Sequence, residues 1–486
     1  MIQIQSVTLK EVDALIIPVF EEKTAENEVL KKLSDRKAFQ AKMGEVFVLP
    51  VVEEELKYTI YMGLGAKEAF NSDEFRKAVA AAMQKAKALK VNTVGIEICV
   101  SDKLCVGGNV KAITEAVILG TYAFDKYQSQ SETAKELTVY LSGVPEAKLK
   151  RAGEVLEEAK NIADGVVLAR ELTNEPSNQI YPETLAQRVV EMGEASGLEV
   201  EVMDEKQIEA LGMKAFLAVG GSSERKPRLI VMRHMGAPEE SEILGLVGKG
   251  LTYDTGGYSL KPTDSMKTMH TDMGGAAAVI GAMQVIAKNK VNKNVVAVVA
   301  ACENVISAGS YKPGDIISSM AGKTIEIGNT DAEGRLTLAD AVTYSIEKEK
   351  VTKLIDVATL TGAALVALGT STTAVVTNNT AFYNELLTAS EKTGEQFWQL
   401  PSTKEYAKLN KSTVADLRNI GGRNAGTITA GLFVGEFVQD LPWLHLDIAG
   451  TAWADAAEGY IAKGGTGVPV RTLYALVAMP CPCSRK

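Results

Sequence analysis

Hydrophobic and polar residues alternate in two patterns along this chain. Short apolar runs alternate with longer stretches in which apolar positions return every three or four residues, which indicates strands and amphipathic helices in turn. In the first part, Ala14–Phe20, Lys57–Leu64, Thr93–Cys99 and Leu137–Leu141 predict strands, and Asp73–Leu89 predicts a helix. We therefore expect an α/β domain over residues 1–145.

A long, charged, helix-forming stretch follows at Glu146–Leu172. It is rich in Ala, Leu, Glu, Lys and Arg, which are strong helix formers. We interpret residues 146–172 as a helix that links two domains.

Residues 173–486 predict a larger α/β domain. Predicted strands are Leu198–Met203, Leu229–Arg233, Ile243–Val247, Val295–Ala301, Thr324–Gly328, Leu354–Thr359 and Trp443–Ile448. Predicted helices are Pro182–Ser196, Glu205–Leu211, Gly275–Lys288 and Leu336–Glu349. This alternation predicts a mostly parallel or mixed sheet covered by helices on both faces. Sites in such sheets lie at the carboxyl ends of strands, which here means the loops after Val247, Gly328, Thr359 and Ile448.

Composition narrows the class of protein. The 486 residues are 46% hydrophobic and 23% charged, which is typical of a globular chain, and the net charge of −9 disfavours binding to nucleic acid or anionic membranes. The count of five cysteines does not indicate a disulfide framework, the first twenty residues do not resemble a signal peptide, and no apolar run reaches membrane-spanning length. We expect a cytoplasmic protein, with Cys481 and Cys483 in an exposed tail.

Four carboxylates stand beside glycines in the predicted loops: Asp254, Asp272, Asp331 and Glu333. If they converge, their mutual repulsion requires cations between them, and four negative charges match two divalent ions. With only three histidines in the chain, a histidine-rich zinc site is excluded, and the carboxylates also admit Mn²⁺ or Mg²⁺.

The string Asn329–Leu336 resembles the signature of the leucyl aminopeptidase family of dinuclear-metal peptidases. Further matching segments are Asn174–Pro176, Val247–Leu260, Met269–Ala278, Thr359–Ala363, Asp447–Gly450 and Gly464–Leu473. The resemblance covers the second domain, whereas the first is similar to the family only in size and in its macro-like α/β texture.

The resemblance implies a metal-dependent aminopeptidase that removes Leu and other apolar residues from the N-termini of peptides. One ion, Mn²⁺ or Zn²⁺, would be bound by Lys249, Asp254, Asp272 and Glu333. A second, more exchangeable ion would be bound by Asp254, Asp331 and Glu333, with a water bridging the two ions.

The same resemblance implies further roles. Lys261 would stabilise the developing oxyanion, and Arg335, with Gly334 and Leu336, would bind a bicarbonate that serves as general base. The substrate pocket would be lined by Met269, Gly362, Ala449 and Ala452. The family also implies a homohexamer of two stacked trimers.

Some alternatives stay open. From the residues alone, Lys249 fits a salt bridge to one of the carboxylates better than a metal site, and the alternative for Arg335 is a structural ion pair with a carboxylate. The family commonly has Phe and Ser where Tyr253 and Thr255 stand, and Lys or Arg where His270 stands, so His270 is expected to pack or to hydrogen-bond rather than to bind metal. Competing functions are another two-metal hydrolase, such as a phosphatase, and an accessory role in DNA binding.

Overall fold

A computed structural model describes residues 2–6, 12–51, 56–99, 101–129 and 137–478, with the backbone alone described for residues 2–6. Cys481 and Cys483 lie outside the described residues. The chain divides into two compact units, the first comprising Met1–Asp164 with Ala456–Lys463, and the second comprising Gly165–Asp455 with Gly464–Met479. None of the helices in the described ranges is both long and apolar enough to cross a bilayer.

The first unit is built on one sheet. Its strands, as far as the chain is described, are β1 (Ile2–Ser6), β2 (Ala14–Val19), β3 (Val46–Pro50), β4 (Tyr58–Gly63), β5 (Thr93–Glu97) and β6 (Leu137–Ser142). They lie in the order β1-β6-β5-β2-β4-β3, and β3 alone of these six runs antiparallel to its neighbour. Its helices are α1 (Glu28–Asp35), α2 (Ser72–Ala88) and α3 (Val106–Thr121).

The segment Ala456–Lys463 belongs to the first unit although it comes late in the sequence. The Tyr460 hydroxyl donates a hydrogen bond to Asp73 in the first turn of α2, at 2.7 Å. Helix α4 (Leu149–Asn174), preceded by a 3-10 turn at Glu146–Lys148, coincides with the stretch that we interpreted as the linking helix.

The second unit contains an eight-stranded mixed sheet. Its strands are β7 (Glu199–Met203), β8 (Arg228–Met235), β9 (Ile243–Asp254), β10 (Asn294–Asn304), β13 (Lys353–Ala358), β14 (Thr372–Thr377), β15 (Gln396–Gln399) and β17 (Trp443–Asp447). The order is β15-β14-β17-β13-β9-β10-β8-β7, and the four central strands β17, β13, β9 and β10 are parallel. The predicted α/β class with a mixed sheet is confirmed.

Helices cover both faces of this sheet. They are α5 (Pro182–Ser196), α6 (Glu205–Ala210), α7 (Lys214–Gly220), α8 (Thr263–Met266), α9 (Gly274–Lys288), α10 (Gly334–Glu347), α11 (Gly362–Leu368), α12 (Thr380–Thr393), α13 (Lys404–Ala407), α14 (Gly426–Gly435) and α15 (Val470–Val477). A Cβ on Gly248 would lie 2.6 Å from Cα of Ala276, so α9 packs directly on β9 there. The next residue, Lys249, points to the opposite face, where α10 begins.

Two sequence predictions about the strands near the carboxylates were wrong. We ended a strand at Val247, but β9 continues to Asp254 because β10 pairs with it along its whole length, with one irregularity at Cys302–Glu303. We also counted Thr324–Gly328 among the strands of the main sheet. It is β12 (Thr324–Glu326) of a separate small sheet with β11 (Ile316–Ser318) and β16 (Leu417–Arg418). A two-stranded sheet of β18 (Trp453–Ala454) and β19 (Gly464–Gly465) completes the described strands.

Candidate metal centre

Three of the four predicted carboxylates converge in the second unit. Oxygens of Asp254, Asp272 and Glu333 lie within 4.8 Å of one another, and all three side chains are buried. Asp254 ends β9, Asp272 lies in the 3-10 turn Met269–Met273, and Glu333 caps α10. The tertiary fold thus brings together residues that are up to 79 positions apart.

Asp254 is oriented by donors on both sides. Its Oδ1 accepts hydrogen bonds from the amide of Gly256 (2.8 Å) and from Nδ2 of Asn304 (2.7 Å), while Oδ2 pairs with Nζ of Lys261 (2.9 Å). Gly256 and Gly257 both have positive φ, at 84° and 62°, so the turn that folds the chain back onto Asp254 needs glycine.

Lys249 lies between two of the carboxylates. Its Nζ is 2.8 Å from Oδ1 of Asp272 and 3.0 Å from Oε1 of Glu333, and it also donates to the carbonyl of Thr359 (2.9 Å). Burial on its own lowers the pKa of Lys249, but the negative charges of Asp272, Glu333 and Asp254 outweigh it and raise the pKa above the ordinary value. The surrounding carboxylates therefore favour the charged amine, and Lys249 forms ion pairs with Asp272 and Glu333.

Lys261 and Asp331 lie beside this cluster. Nζ of Lys261 is 2.6 Å from Oδ1 of Asp331 in addition to its contact with Asp254, so Lys261 connects the fourth carboxylate to the first. The Asp331 side chain is about one third exposed, whereas those of Asp254 and Glu333 are 2% exposed. Asp331 therefore occupies the open side of the cluster.

Burial dominates the electrostatics of the carboxylates. It raises the pKa of Asp272 to about 8 against the opposing charge of Lys249, and it raises the pKa of Asp331 to about 6 with help from the charge of Glu333. For Glu333, burial also favours the protonated form, but Lys249 and Lys261 hold its pKa below the ordinary value. Holding several ionised carboxylates here requires cationic compensation.

Divalent ions fit this arrangement. Oδ2 of Asp272 and Oε2 of Glu333 are buried and accept no hydrogen bond from the described residues. Buried carboxylate oxygens are costly without a partner, and convergent carboxylate oxygens are ligands for hard divalent ions. The donors thus suit a divalent cation better than they suit any purely structural role.

Arg335 begins α10 next to this cluster. Its side chain donates to the carbonyl of Asn419 (2.7 Å), and its Nε has no hydrogen-bond acceptor among the described residues. Burial lowers the pKa of Arg335 to about 10, which still leaves it charged at neutral pH. The amide of Leu336 already donates to the carbonyl of Glu333 (2.9 Å), so it is not free for an anion.

Two buried asparagines that support the centre were not predicted from the sequence. Asn304 donates to Asp254 and to the carbonyl of Thr330 (3.0 Å). Asn419 accepts from the amide of Gly328 (2.8 Å) and donates to the carbonyl of Asn329 (2.7 Å), so it holds the loop that carries Asp331 and Glu333. In the sequence, only its position at the polar end of the otherwise apolar strand β10 could have indicated a role for Asn304. No sequence feature indicated a role for Asn419.

The predicted pocket residues lie around these loops. Ala452 is buried, and a Cβ on Gly274 would lie 3.4 Å from both Ala452 and Thr359, which places Ala452 next to the start of α9. Gly362 is the first residue of α11, and Met269 opens the 3-10 turn that carries Asp272. His270 packs edge-on against Trp453, with ring centroids 5.8 Å apart.

A buried carboxylate cluster with lysine counter-charges, beside the carboxyl end of β9 in an α/β sheet, is typical of metal-dependent hydrolases. Comparison with known proteins makes the class specific. Residues 167–474 match the model of the cytosol aminopeptidase family, catalytic domain, and residues 16–131 match the N-terminal domain of the same family. The chain belongs to the cytosol aminopeptidase family.

Individual relatives agree with this assignment. A protein of Clostridium perfringens described as "probable cytosol aminopeptidase" is 51% identical over 480 residues, covering 97% of each chain. The solved structure of a mutant of tomato leucine aminopeptidase has a TM-score of 0.88 at 33% identity, covering 98% of this chain and 96% of that one. The bottromycin maturation enzyme BotP, solved in complex with Mn, has a TM-score of 0.87 at 32% identity, covering 96% of this chain and 99% of that one.

The chain is therefore a metal-dependent aminopeptidase, a hydrolase that removes N-terminal residues from peptides. The family match decides between the peptidase and the phosphatase that the carboxylates alone left open.

Proposed function

We propose that this aminopeptidase binds two divalent ions, Mn²⁺ or Zn²⁺, with the residues named in the sequence analysis. Lys249, Asp254, Asp272 and Glu333 would bind one ion, and Asp254, Asp331 and Glu333 would bind the other, with the Asp331 carbonyl assisting. The observation that supports this proposal is the buried cluster of Asp254, Asp272 and Glu333 with oxygens that accept no hydrogen bond from the described residues.

The side chains of the site have different roles in hydrolysis. When bound, the ions would supply Lewis-acid polarisation of the scissile carbonyl and would lower the pKa of the attacking water. Asp272 would lie close to the substrate α-amine and so would select free N-termini. Lys261, which already reaches the open side of the cluster, donates N–H to the oxyanion that develops on the scissile carbonyl.

Lys249 has to change its protonation state to act as a ligand. Its amine is charged beside the unneutralised carboxylates, but a divalent ion displaces the proton from a coordinating amine. The proximity of Lys249 to Asp272 and Glu333 allows one ion to contact all three with small side-chain movements. Proton release on metal binding is the measurable consequence.

Arg335, with Gly334 at the same helix start, is our proposed bicarbonate site, and Leu336 adds no donor to it because its amide donates to the carbonyl of Glu333. A guanidinium matches a flat oxyanion, and its Nε has no acceptor among the described residues. Bicarbonate would supply the general base that carboxylates committed to metal do not. We expect Arg335→Ala to lower kcat with metal content unchanged and to abolish stimulation by added bicarbonate. Wild-type kcat for this variant in bicarbonate-free buffer would make Arg335 a structural residue.

We propose that Met269, Gly362, Ala449 and Ala452 line a pocket for Leu and other apolar N-terminal side chains. Small residues at three of these positions leave room for a branched or longer apolar side chain.

We further propose two domains, at residues 1–145 and 173–486, which are joined by residues 146–172. We also propose that the protein is a homohexamer and that it is cytoplasmic. Light scattering that gave the monomer mass of 51.9 kDa at micromolar concentration would contradict the hexamer.

The central test is metal removal. The protein is dialysed against a chelator, its metal content is measured by mass spectrometry, and hydrolysis of leucine anilide is followed while Mn²⁺, Zn²⁺ or Co²⁺ is added back. We expect activity to disappear and return with two ions per chain. N-acetyl-leucine anilide and an aryl phosphate serve as controls that should not be hydrolysed. Full activity of the metal-free protein would refute the proposal.

A further inference from the structure

Asp447 is a buried carboxylate that the metal centre does not use. It ends β17 in the segment Asp447–Gly450, which matches the family, and it is 1% exposed. Its strand neighbour Ala358 precedes the loop 359–362 on β13. Asp447 therefore lies where the ends of two adjacent strands lead into two loops of the proposed pocket.

The two oxygens of Asp447 connect these loops. Oδ1 accepts hydrogen bonds from the amides of Leu360 (3.1 Å) and Thr361 (3.4 Å) in one loop, and from the amide of Ala449 (3.1 Å) in the other. Oδ2 accepts from the Thr361 hydroxyl at 2.6 Å. One side chain thus holds residues directly adjacent to Gly362 together with Ala449 itself.

The Thr361 hydroxyl extends this connection into α11. Because its single proton is donated to Asp447, the Thr361 oxygen accepts from the Thr427 hydroxyl (2.8 Å) and from the amide of Ala364 (3.2 Å). Thr361 is the N-cap of α11, so the position of Gly362 depends on the same oxygen.

We propose that Asp447 is a positioning residue that sets the width of the substrate pocket by fixing the loops 359–362 and 448–452 to each other. This inference rests on the proposed pocket of Gly362, Ala449 and Ala452. A carboxyl group suits this task because its two oxygens accept several hydrogen bonds at once. Because Asp447 contacts the pocket loops, it should control which N-terminal side chain is preferred rather than the rate of bond breaking.

The experiment compares Asp447→Ala with the matched pair Thr361→Val and Thr361→Ser in the metal-loaded enzyme. Thr361→Val removes the hydroxyl and keeps the shape, whereas Thr361→Ser restores the donor. The measurements are kcat and KM for leucine and alanine anilides, metal content and Tm. Asp340→Asn serves as the control, because Asp340 is an equally buried carboxylate that accepts the amides of Phe216 and Met320.

We expect the preference for leucine over alanine, expressed as a ratio of kcat/KM, to fall about tenfold in Asp447→Ala, the lower end of what a single methylene contributes in an apolar pocket. The change should lie mainly in KM for leucine anilide, with metal content retained. Thr361→Val should show a smaller shift in the same direction, and Thr361→Ser should recover the wild-type ratio. Asp340→Asn should change Tm without changing the ratio.

Amide hydrogen exchange gives a readout that does not depend on activity. If Asp447 connects the loops, Thr361→Val raises exchange in peptides covering 448–452 as well as in those covering 359–366. Exchange that rises only around Thr361, or activities that fall in proportion on both substrates, would overturn the inference. A wild-type enzyme with no preference for leucine would instead refute the proposed pocket, and the exchange data would still decide whether the loops are connected.

Discussion

Two places in the second unit bury carboxylates, and they accommodate the charge differently. In the middle of α10, Asp340 accepts the amide of Phe216 with Oδ2 (2.9 Å) and the amide of Met320 with Oδ1 (2.8 Å). In the metal centre, Asp272 and Glu333 each keep one buried oxygen that accepts no hydrogen bond from the described residues. All three carboxylates are buried, but only Asp340 has hydrogen bonds to both of its oxygens.

The difference separates a structural acid from a binding site. Asp340 uses both oxygens to tie two chain segments to a helix, so no ligand is needed to explain it. The centre combines unsatisfied oxygens with lysine counter-charges, which is an arrangement that an ion completes. Substitutions at the two places should therefore separate loss of metal from change in stability.

The largest expected effect comes from Gly334→Ala. A Cβ there would lie 2.8 Å from Nζ of Lys249, so the lysine would be displaced from Asp272 and Glu333. Because a lysine end moves easily, we expect Tm to change little, while metal retention and activity fall close to background. The matched control is Gly153→Ala in α4, where an added Cβ meets no atom within 4 Å. Retained metal and activity in Gly334→Ala would show that the Lys249 position is unimportant.

Lys261→Ala should have the next largest effect. Loss of one oxyanion donor typically lowers kcat by roughly 10²–10³-fold, and we expect metal content to stay at the wild-type value. Lys267→Ala is the control, since Lys267 is an exposed lysine of the same loop that pairs with Asp264. If Lys261→Ala instead loses metal and keeps its rate per bound metal, Lys261 is a counter-charge for Asp254 and Asp331.

Asn304→Ala should weaken metal binding without abolishing it. The variant loses the donor that orients Asp254, and groups of this kind typically contribute about 10–100-fold in metal affinity. Competition with a fluorescent chelator measures this change. Asn294→Ala, at the other end of β10, removes a buried asparagine that bonds Ala237 and Glu240, and it should lower Tm with unchanged metal affinity. Equal metal affinities in the two variants would contradict a role for Asn304 in the centre.

We expect Asp340→Asn to have the smallest effect on activity. Because Asp340 is a structural acid outside the metal centre, its substitution should instead change how stability depends on pH. Burial raises its pKa to about 7, above the ordinary value of about 3.9 for Asp. Because the folded protein holds this proton more tightly, the stabilisation is complete below about pH 4 and is lost as pH rises to about 7, by roughly 1.4 kcal/mol per pH unit.

Thermal unfolding of the wild type and Asp340→Asn across this range tests the prediction. The stability difference between the two proteins should change with pH in favour of the wild type at low pH, while activity per bound metal stays equal. A constant difference from pH 4 to 8 would mean that the amides of Phe216 and Met320 keep Asp340 ionised throughout.

Much of the fold and most of the charged residues in the centre were predictable from the sequence. Strand and helix positions follow from hydrophobic periodicity, which is a local property of consecutive residues, and most predicted elements recur with ends within a few residues. Asp254, Asp272 and Glu333 stood out because acidic residues beside glycines are unusual at predicted strand ends. The family resemblance supplied their expected roles.

The tertiary structure decided how those residues are held. Only the pairing with β10 shows that β9 continues to Asp254, and only the small sheet of β11, β12 and β16 shows how Glu333 reaches the cluster. Hydrogen-bond partners that lie 26 to 91 residues away in the chain show what Asn304, Asn419 and Asp447 do. Hydrogen bonds between distant segments leave no period in the sequence, so the sequence determined which chemical groups are available, and the fold determined which of them meet.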